Sequence, residues 1–486
     1  MEHTNLTLLT DLYQLTMMQG YHSSGMAERI AVFDLFYREN PNGNGFAICA
    51  GLAQAMEYID NLRFSKDDLD FLAGKDLFTS DFLEYLANFR FTGDIAAIAE
   101  GTVVFPGEPL VRVKAPIIQA QLIETALLNI INHQSLIATK AARVCYAAGD
   151  DGVLEFGLRR AQGPDAGIYG ARAAMIGGCA ATSDVLAGKI FDIPIRGTHA
   201  HSWIMSFDDE LTAFREYARV FPKAVILLVD TYDTLKSGLP NAIKVFDEMS
   251  QKGLTLDNYG IRLDSGDLAY LSKQARKMLD AAGYCDAIIC ASCDLDEHLI
   301  QSLKVQGAKI GLWGVGTSLI TSRGQSAFGG VYKLAAMEDN EGNLHPKIKL
   351  SENPEKVSNP GMKKIYRIYD TNTGKIRADL ITLAHEKIDT TRELTIFDPI
   401  ATWKTMTLHP GRYHIKELMM PVYENGKRIY ESPAVMDIRE FCLKEQATLW
   451  DEHKRFDNPH ILPVDLSREL YDLKQEMILE ARVISR

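Results

Sequence analysis

No run of apolar residues in this chain approaches the roughly 20 positions needed to cross a bilayer, and Met1 to Thr10 carry no basic segment followed by an apolar core. No membrane span and no export are expected, and the location expected is cytoplasmic. Basic residues are not in excess either: 52 Lys and Arg face 64 Asp and Glu, a formal net charge of -12. The cations are scattered, which gives a nucleic-acid backbone no stripe to bind. Anionic ligands must therefore meet small local groups of cations. The seven cysteines are odd in number and spread from Cys49 to Cys442, which is no disulfide framework and fits reduced thiols. Cys290 and Cys293 form a lone CxxC near Cys285; with no second pair at ligand spacing, no zinc site is expected. Internal repeats and low-complexity stretches are absent.

What is present is a large folding chain. Its 486 residues, 46% hydrophobic, can bury more than one core, so two or three domains are expected. In the first part, residues 1–150, apolar positions Leu8, Leu12, Leu15 and Met18 recur at helical spacing. Ala31 to Tyr37 alternates like a strand, and Val103 to Val113, broken by Pro106-Gly107, suggests a β-hairpin. Ile117 to Ala147 reads as one long, interrupted amphipathic helix.

The middle part, residues 151–337, has a βα rhythm: short apolar runs end in small or charged residues and lead into helical segments. The predicted strands are Val153–Leu158, Ile193–Gly197, Ala224–Val229, Tyr259–Leu263, Ala287–Ala291 and Lys309–Trp313, with Val331–Ala336 as a seventh. Runs apolar on both faces fit a parallel sheet, either open or closed into a barrel, and the chemistry of such sheets collects at the carboxyl ends of the strands. In the last part, 338–486, polar turns separate short strand-like pieces, and a helix from Leu466 to Val483 closes the chain.

The strand ends carry the reactive residue types. Gly157-Leu158-Arg159-Arg160 offers two guanidiniums, whose planar forks suit carboxylate or phosphate; pairing with acidic surface neighbours is the plainer alternative. Gly197-Thr198-His199-Ala200-His201-Ser202 puts two imidazoles beside a hydroxyl. A metal-binding HxH pair would need further ligands, yet between Ser202 and Met337 the only histidine is His298. An imidazole acting as base or phosphoryl acceptor is the other possibility. Val229-Asp230-Thr231 superficially resembles the phosphoribosyl pyrophosphate loop of another fold but lacks its adjacent acids and phosphate cradle, and Asp230 suits a helix cap equally. Arg262-Leu263-Asp264-Ser265-Gly266-Asp267 places a cation, two carboxylates and a hydroxyl at one mouth, able to hold ribose hydroxyls or a magnesium ion, although Asp267 or Ser265 could simply cap the next helix. Gly316-Thr317 could bring backbone N–H groups to a phosphate.

Taken in order, Asp11 to Met17, Phe156 to Pro164, Gly197 to Ser202, Arg262 to Asp267 and Gly329 to Leu334 closely resemble the nicotinate phosphoribosyltransferase family. The resemblance covers most of the chain. It implies a type II phosphoribosyltransferase fold: an irregular βα barrel flanked by a mixed α/β domain built from both chain ends, in a homodimer. It also implies an ATP-dependent, ligase-type reaction of NAD biosynthesis, in which nicotinate and phosphoribosyl pyrophosphate, with Mg2+, give nicotinate mononucleotide and pyrophosphate. On this pattern His201 is the residue phosphorylated by ATP, with Thr198 beside the substrate, while His199 need only shape the turn. Arg159 and Arg160 would meet anionic groups, and Arg262 and Ser265 would bind substrate. Asp264 would hold ribose or the metal, for which Asp267 is the alternative. Tyr13, from the neighbouring subunit, would stack on the pyridine ring. Gly316 and Thr317 would meet the 5'-phosphate, and Ser358, in the run Glu355 to Ser358, would lie near phosphoribosyl pyrophosphate.

Overall fold

The computed structural model describes residues 5–353 and 356–484, so Met1 to Thr4 and Glu355 of the preceding account lie outside the described residues. The chain divides into two compact units, one from 1–136, 327–433 and 441–486, the other from 137–326 and 434–440. The second unit thus begins inside the helix Glu124–Ala148 and stops before the strand Gly330–Glu338.

The second unit is built on a six-stranded sheet in the order Ala181–Thr182, Gly152–Glu155, Leu312–Val315, Ile288–Ala291, Tyr259–Leu263, Val225–Leu228. Every pairing in it is parallel. One face is buried at Val153, Leu227, Ile261 and Trp313, and the other carries apolar Leu154, Leu228 and Cys290, buried, with Ile226, Ile288 and Leu312 half-buried, which is why these strands read as continuous apolar runs and not as alternating ones. Four of the helices between them start at acidic caps: Asp184, Asp209, Asp267 and Asp296 each accept a backbone N–H from the first turn. In a parallel register all the strands run the same way, so Glu155, Leu228, Leu263, Ala291 and Val315 end at one mouth.

Two predicted barrel strands are corrected. Ile193–Gly197 forms only an isolated bridge, Thr182 to Ile195. Pro194 has no N–H to give a ladder, and its carbonyl and the Arg196 N–H make the only two bonds, both to Thr182. Val331–Ala336 is not a seventh parallel strand. It lies within Gly330–Glu338, which pairs antiparallel with Ile30–Tyr37 in the first unit.

Among the described residues, that first unit holds two large sheets and one two-stranded sheet. One has seven strands, with Ile30–Tyr37 and Val111–Pro116 at its centre, over a core that includes Leu35, Tyr37, Val113 and Ile131. The expected hairpin within Val103 to Val113 is absent: Val103–Val104 pairs with Ala47–Ile48, while Val111–Pro116 pairs with two other strands. The long helix is interrupted as expected, into Ile117–Leu122 and Glu124–Ala148. The other sheet has six strands, including Lys363–Asp370 and Ile376–Leu383.

Arg367, wholly buried beside this sheet, meets Asp379 at 2.6 Å, Glu445 at 3.1 Å and Glu108 at 3.9 Å. One cation cannot neutralise three carboxylates in a dry site. Burial, then the neighbouring Asp379 charge, pushes the Glu108 carboxyl well above the usual range, which favours its neutral form. Glu108→Gln, which keeps a neutral side chain of the same shape, is expected to change unfolding free energy by less than about 1 kcal/mol; a denaturant titration measures it, and a large loss would show that Glu108 is ionised.

Candidate active site

The site is best built outward from Arg262, which points into the mouth of the second unit's sheet from the strand Tyr259–Leu263. Four of the five N–H groups of its guanidinium are engaged. Nε donates to Ser292 Oγ at 2.9 Å, Nη1 to Thr198 Oγ1 at 2.8 Å and to the His199 carbonyl at 3.3 Å, and Nη2 to Asp264 Oδ1 at 3.1 Å. Only a planar fork can bind four such groups, from two strand ends and the turn after Gly197, at once. Its carbon centre also lies 6.0 Å from the centroid of the Phe156 ring, a cation–π distance.

The carboxylates form a second layer. Asp230 Oδ2 accepts from the Asp264 backbone N–H at 2.9 Å and from Ser265 Oγ at 2.7 Å. Asp230 is therefore no helix cap; Asp233 performs that task for the following turn. The side-chain oxygen Oδ1 of Asp230 is buried without a hydrogen-bond donor. Burial works to raise the Asp264 carboxyl, but the Ser292 hydroxyl and the Arg262 guanidinium outweigh it and hold the group below the usual carboxylate range. Asp267 caps the helix Leu268–Ala281 through a 2.9 Å bond from Tyr270 N. One of its oxygens is thus already committed.

The two histidines have opposite surroundings. His199 is buried against the Tyr217 ring, centroids 4.5 Å apart, and its Nε2 faces the Leu228 N–H at 3.4 Å. Burial lowers its imidazole to about 4, so it is neutral and shapes the turn. His201 opens the helix His201–Met205 and is part-exposed. Its Nδ1 lies 3.1 Å from Thr231 Oγ1, and its Nε2 lies 3.6 Å from Asp264 Oδ2 and 4.0 Å from Asp230 Oδ1. Carboxylates on the Nε2 side favour the proton there, which leaves the Nδ1 lone pair as the nucleophilic one.

Arg159 and Arg160 occupy an exposed 3-10 turn, Leu158–Arg160, directly after the strand Gly152–Glu155. Neither has a carboxylate partner among the described residues. Gly316 precedes the short helix Thr317–Ile320, and a Cβ there would stand 3.1 Å from the Phe156 carbonyl oxygen. That close approach leaves little room for any side chain at 316. Below the Arg262 cluster, a cavity of about 600 Å3 extends between Leu154, Phe156, Ile226, Ile288, Cys290 and Leu312, with Thr198 and Arg196 also in its wall.

The structure therefore brings together Thr198, His201, Arg262, Asp264 and Ser265 through direct hydrogen bonds or close approaches. Tyr13 and Ser358 belong to the first unit. Tyr13, about half exposed, lies 3.4 Å from Glu124 through its hydroxyl, and the buried Ser358 hydroxyl accepts from the Lys349 N–H at 2.9 Å. Ser292, Thr231 and Phe156 were given no role from the sequence. Ser292 directly follows a predicted strand, and that position is its one signal in the sequence.

Comparison with known proteins bears on the family and the fold. Family descriptions of the nicotinate phosphoribosyltransferase N-terminal domain, family and C-terminal domain match residues 8–132, 152–374 and 362–474. The nicotinate phosphoribosyltransferase of Bacillus subtilis is 48% identical over 98% of this chain and 96% of its own length. That of Dictyostelium discoideum is 37% identical over 98% of this chain and 88% of its own length. The crystal structure of human nicotinic acid phosphoribosyltransferase superposes with a TM-score of 0.82 at 29% identity, covering 97% of this chain and all of that one. A nicotinate-nucleotide pyrophosphorylase from Pyrococcus furiosus, 22% identical with a TM-score of 0.69, shares the fold. The fold is that of the type II phosphoribosyltransferases, and the chain belongs to the nicotinate phosphoribosyltransferase family.

Proposed function

We propose that this chain joins nicotinate to phosphoribosyl pyrophosphate, releasing pyrophosphate and forming nicotinate mononucleotide for NAD biosynthesis, and that ATP drives the reaction through phosphorylation of His201. The observation that carries this reading is the convergence of Arg262, Asp264 and His201 at the strand mouth, above an apolar cavity. In the transfer the pyridine nitrogen bonds to the anomeric carbon as the bond to pyrophosphate breaks. Positive charge builds on the ribose and negative charge on the leaving group, so the site must offer both signs at fixed positions.

The residues divide that work. Asp264 and Ser265 are suited to ribose hydroxyls, and Arg159 and Arg160 to the phosphate oxygens. Thr317, with the unhindered backbone at Gly316, would receive the 5'-phosphate. The Phe156 ring and the apolar cavity wall suit a flat pyridine, and Arg262 beside them suits its carboxylate. In the dimeric enzyme proposed here, Tyr13 of one protomer would stack on the ring bound by its partner, and Ser358 would line the phosphoribosyl side.

Mg2+ suits the same mouth. The unpartnered Oδ1 of buried Asp230 and Oδ2 of Asp264 both lie within 4.0 Å of His201 Nε2, and two carboxylates with substrate phosphates are a usual magnesium environment. Asp264 with Asp230 would hold the ion; Asp267, committed as a cap, is the poorer ligand. Such an ion neutralises pyrophosphate charge. In the phosphorylation step, His201 Nδ1 bonds to the terminal phosphorus of ATP as ADP leaves, while the carboxylates keep the Nε2 proton in place.

The deciding assay measures nicotinate mononucleotide from purified protein with and without ATP, with nicotinamide as the control base. Turnover of nicotinamide alone, or none at all, would sink the proposal. Arg159→Ala is expected to raise KM for phosphoribosyl pyrophosphate or nicotinate about tenfold with the fold intact, as loss of one charge-assisted anion contact does. Unchanged kinetic constants would dismiss that role.

A further inference from the structure

Ser292 follows the strand Ile288–Ala291 and is almost wholly buried, at 5% exposure. Its hydroxyl has a single proton, so its two strong contacts fix its direction. It accepts from Arg262 Nε at 2.9 Å and must donate to Asp264 Oδ1. Arg262 Nη2 reaches the same oxygen at 3.1 Å. Both attachments are on one oxygen of the carboxylate, and the other, Oδ2, is left 3.6 Å from His201 Nε2.

Three features keep the hydroxyl there. The Ser292 N–H donates to the Leu263 carbonyl at 2.9 Å, which continues the parallel ladder into the site. The next two residues, Cys293 and Asp294, have φ of 94° and 21°, left-handed values that non-glycine residues adopt only where the surroundings impose them. At the back the Phe156 ring closes against the strand: a Cβ at Gly314 would stand 2.7 Å from that ring and 3.5 Å from the Ser292 Cβ. Strained backbone of this kind collects at functional sites.

We propose that Ser292 is a positioning residue for the reaction: its hydroxyl ties the Arg262 fork to one oxygen of Asp264 and thereby aims the other at His201. The proposal rests on the reading of this cluster as the reaction centre. Ser292 itself touches no reacting atom.

The test uses full-length Ser292→Ala, Ser292→Thr, Asp264→Asn and the Ser292→Ala/Asp264→Asn double variant. Ser292→Ala is expected to lower kcat for nicotinate mononucleotide formation on the order of tenfold to a hundredfold, as misplacement of a reacting group does, with little change in thermal midpoint. Ser292→Thr keeps the hydroxyl and should restore activity to within about threefold of wild type, while the double variant should fall no further than its worse parent. Activity of Ser292→Ala within about threefold of wild type, or losses that multiply in the double variant, would overturn the proposal. So would a loss accompanied by a lowered midpoint that Ser292→Thr does not repair, which would mean that Ser292 only packs. A second readout is the 15N-histidine spectrum, with the His201 signal identified by its disappearance in His201→Asn. That signal should move in Ser292→Ala and stay in Ser292→Thr. It reports the Asp264 to His201 contact even in a protein that makes no nicotinate mononucleotide, so failure of the functional reading and failure of the positioning role give different results.

Discussion

His201→Asn should abolish the transfer of labelled phosphate from ATP to the protein while leaving a slow phosphoribosyl transfer that ATP no longer stimulates. The asparagine side chain can still hydrogen-bond with Thr231, which now lies 3.1 Å from His201 Nδ1, but it has no basic nitrogen to attack phosphorus. Removal of a nucleophile typically costs many orders of magnitude, so phosphate uptake should fall below detection, at least about 10³-fold. The label on the wild-type protein should be acid-labile, as a phosphoramidate is. Phosphate uptake at the wild-type rate by the variant would remove His201 from the mechanism. The same variant also separates the two halves of the reaction, since Arg262 and Asp264 keep their mutual contact without the imidazole.

The second large effect is expected at Arg262. Its side chain makes hydrogen bonds to Ser292, Thr198, the His199 carbonyl and Asp264, so truncation to alanine releases all four groups and leaves Asp264 without its guanidinium. Loss of kcat/KM of about 10³-fold or more is expected, equal to roughly 4 kcal/mol of transition-state stabilisation. Arg262→Lys should recover little of it, because a point charge cannot serve Ser292, Thr198 and Asp264 together. Steady-state kinetics with far-ultraviolet circular dichroism checks both claims. A lysine variant as active as wild type would show that only charge, and not the fork, is used.

Much of the site was visible in the sequence because its members sit immediately after short apolar runs. Arg262, Asp264 and Ser265 follow or end such a run, and so does Arg159, and a parallel sheet leaves those positions no other place than its carboxyl end. Where legibility failed, pairing was the cause. Val331 to Ala336 has the composition of a barrel strand, yet it is taken by Ile30–Tyr37 about 300 positions earlier in the chain. Nothing local in Val103 to Val113 shows that Ala47–Ile48 captures its beginning. Pro194 could have warned against a strand at Ile193–Gly197, since a proline within a run demotes it.

By itself the sequence determined the residue types at each strand end, the parallel character of the middle region and, through five ordered motifs, membership of the family. Those properties are local, since they depend on apolar period, on caps and on which side chains adjoin a turn. Only the tertiary structure decided how the strand ends share their work. It turned Asp230 from a possible cap into the brace of Asp264 and Ser265, made His199 a buried neutral spacer, and inserted Ser292 between Arg262 and Asp264. Each of these is a contact between residues about 30 positions apart, set by sheet order and register, and hydrogen bonds of about 3 Å cannot be inferred from spacing along a chain.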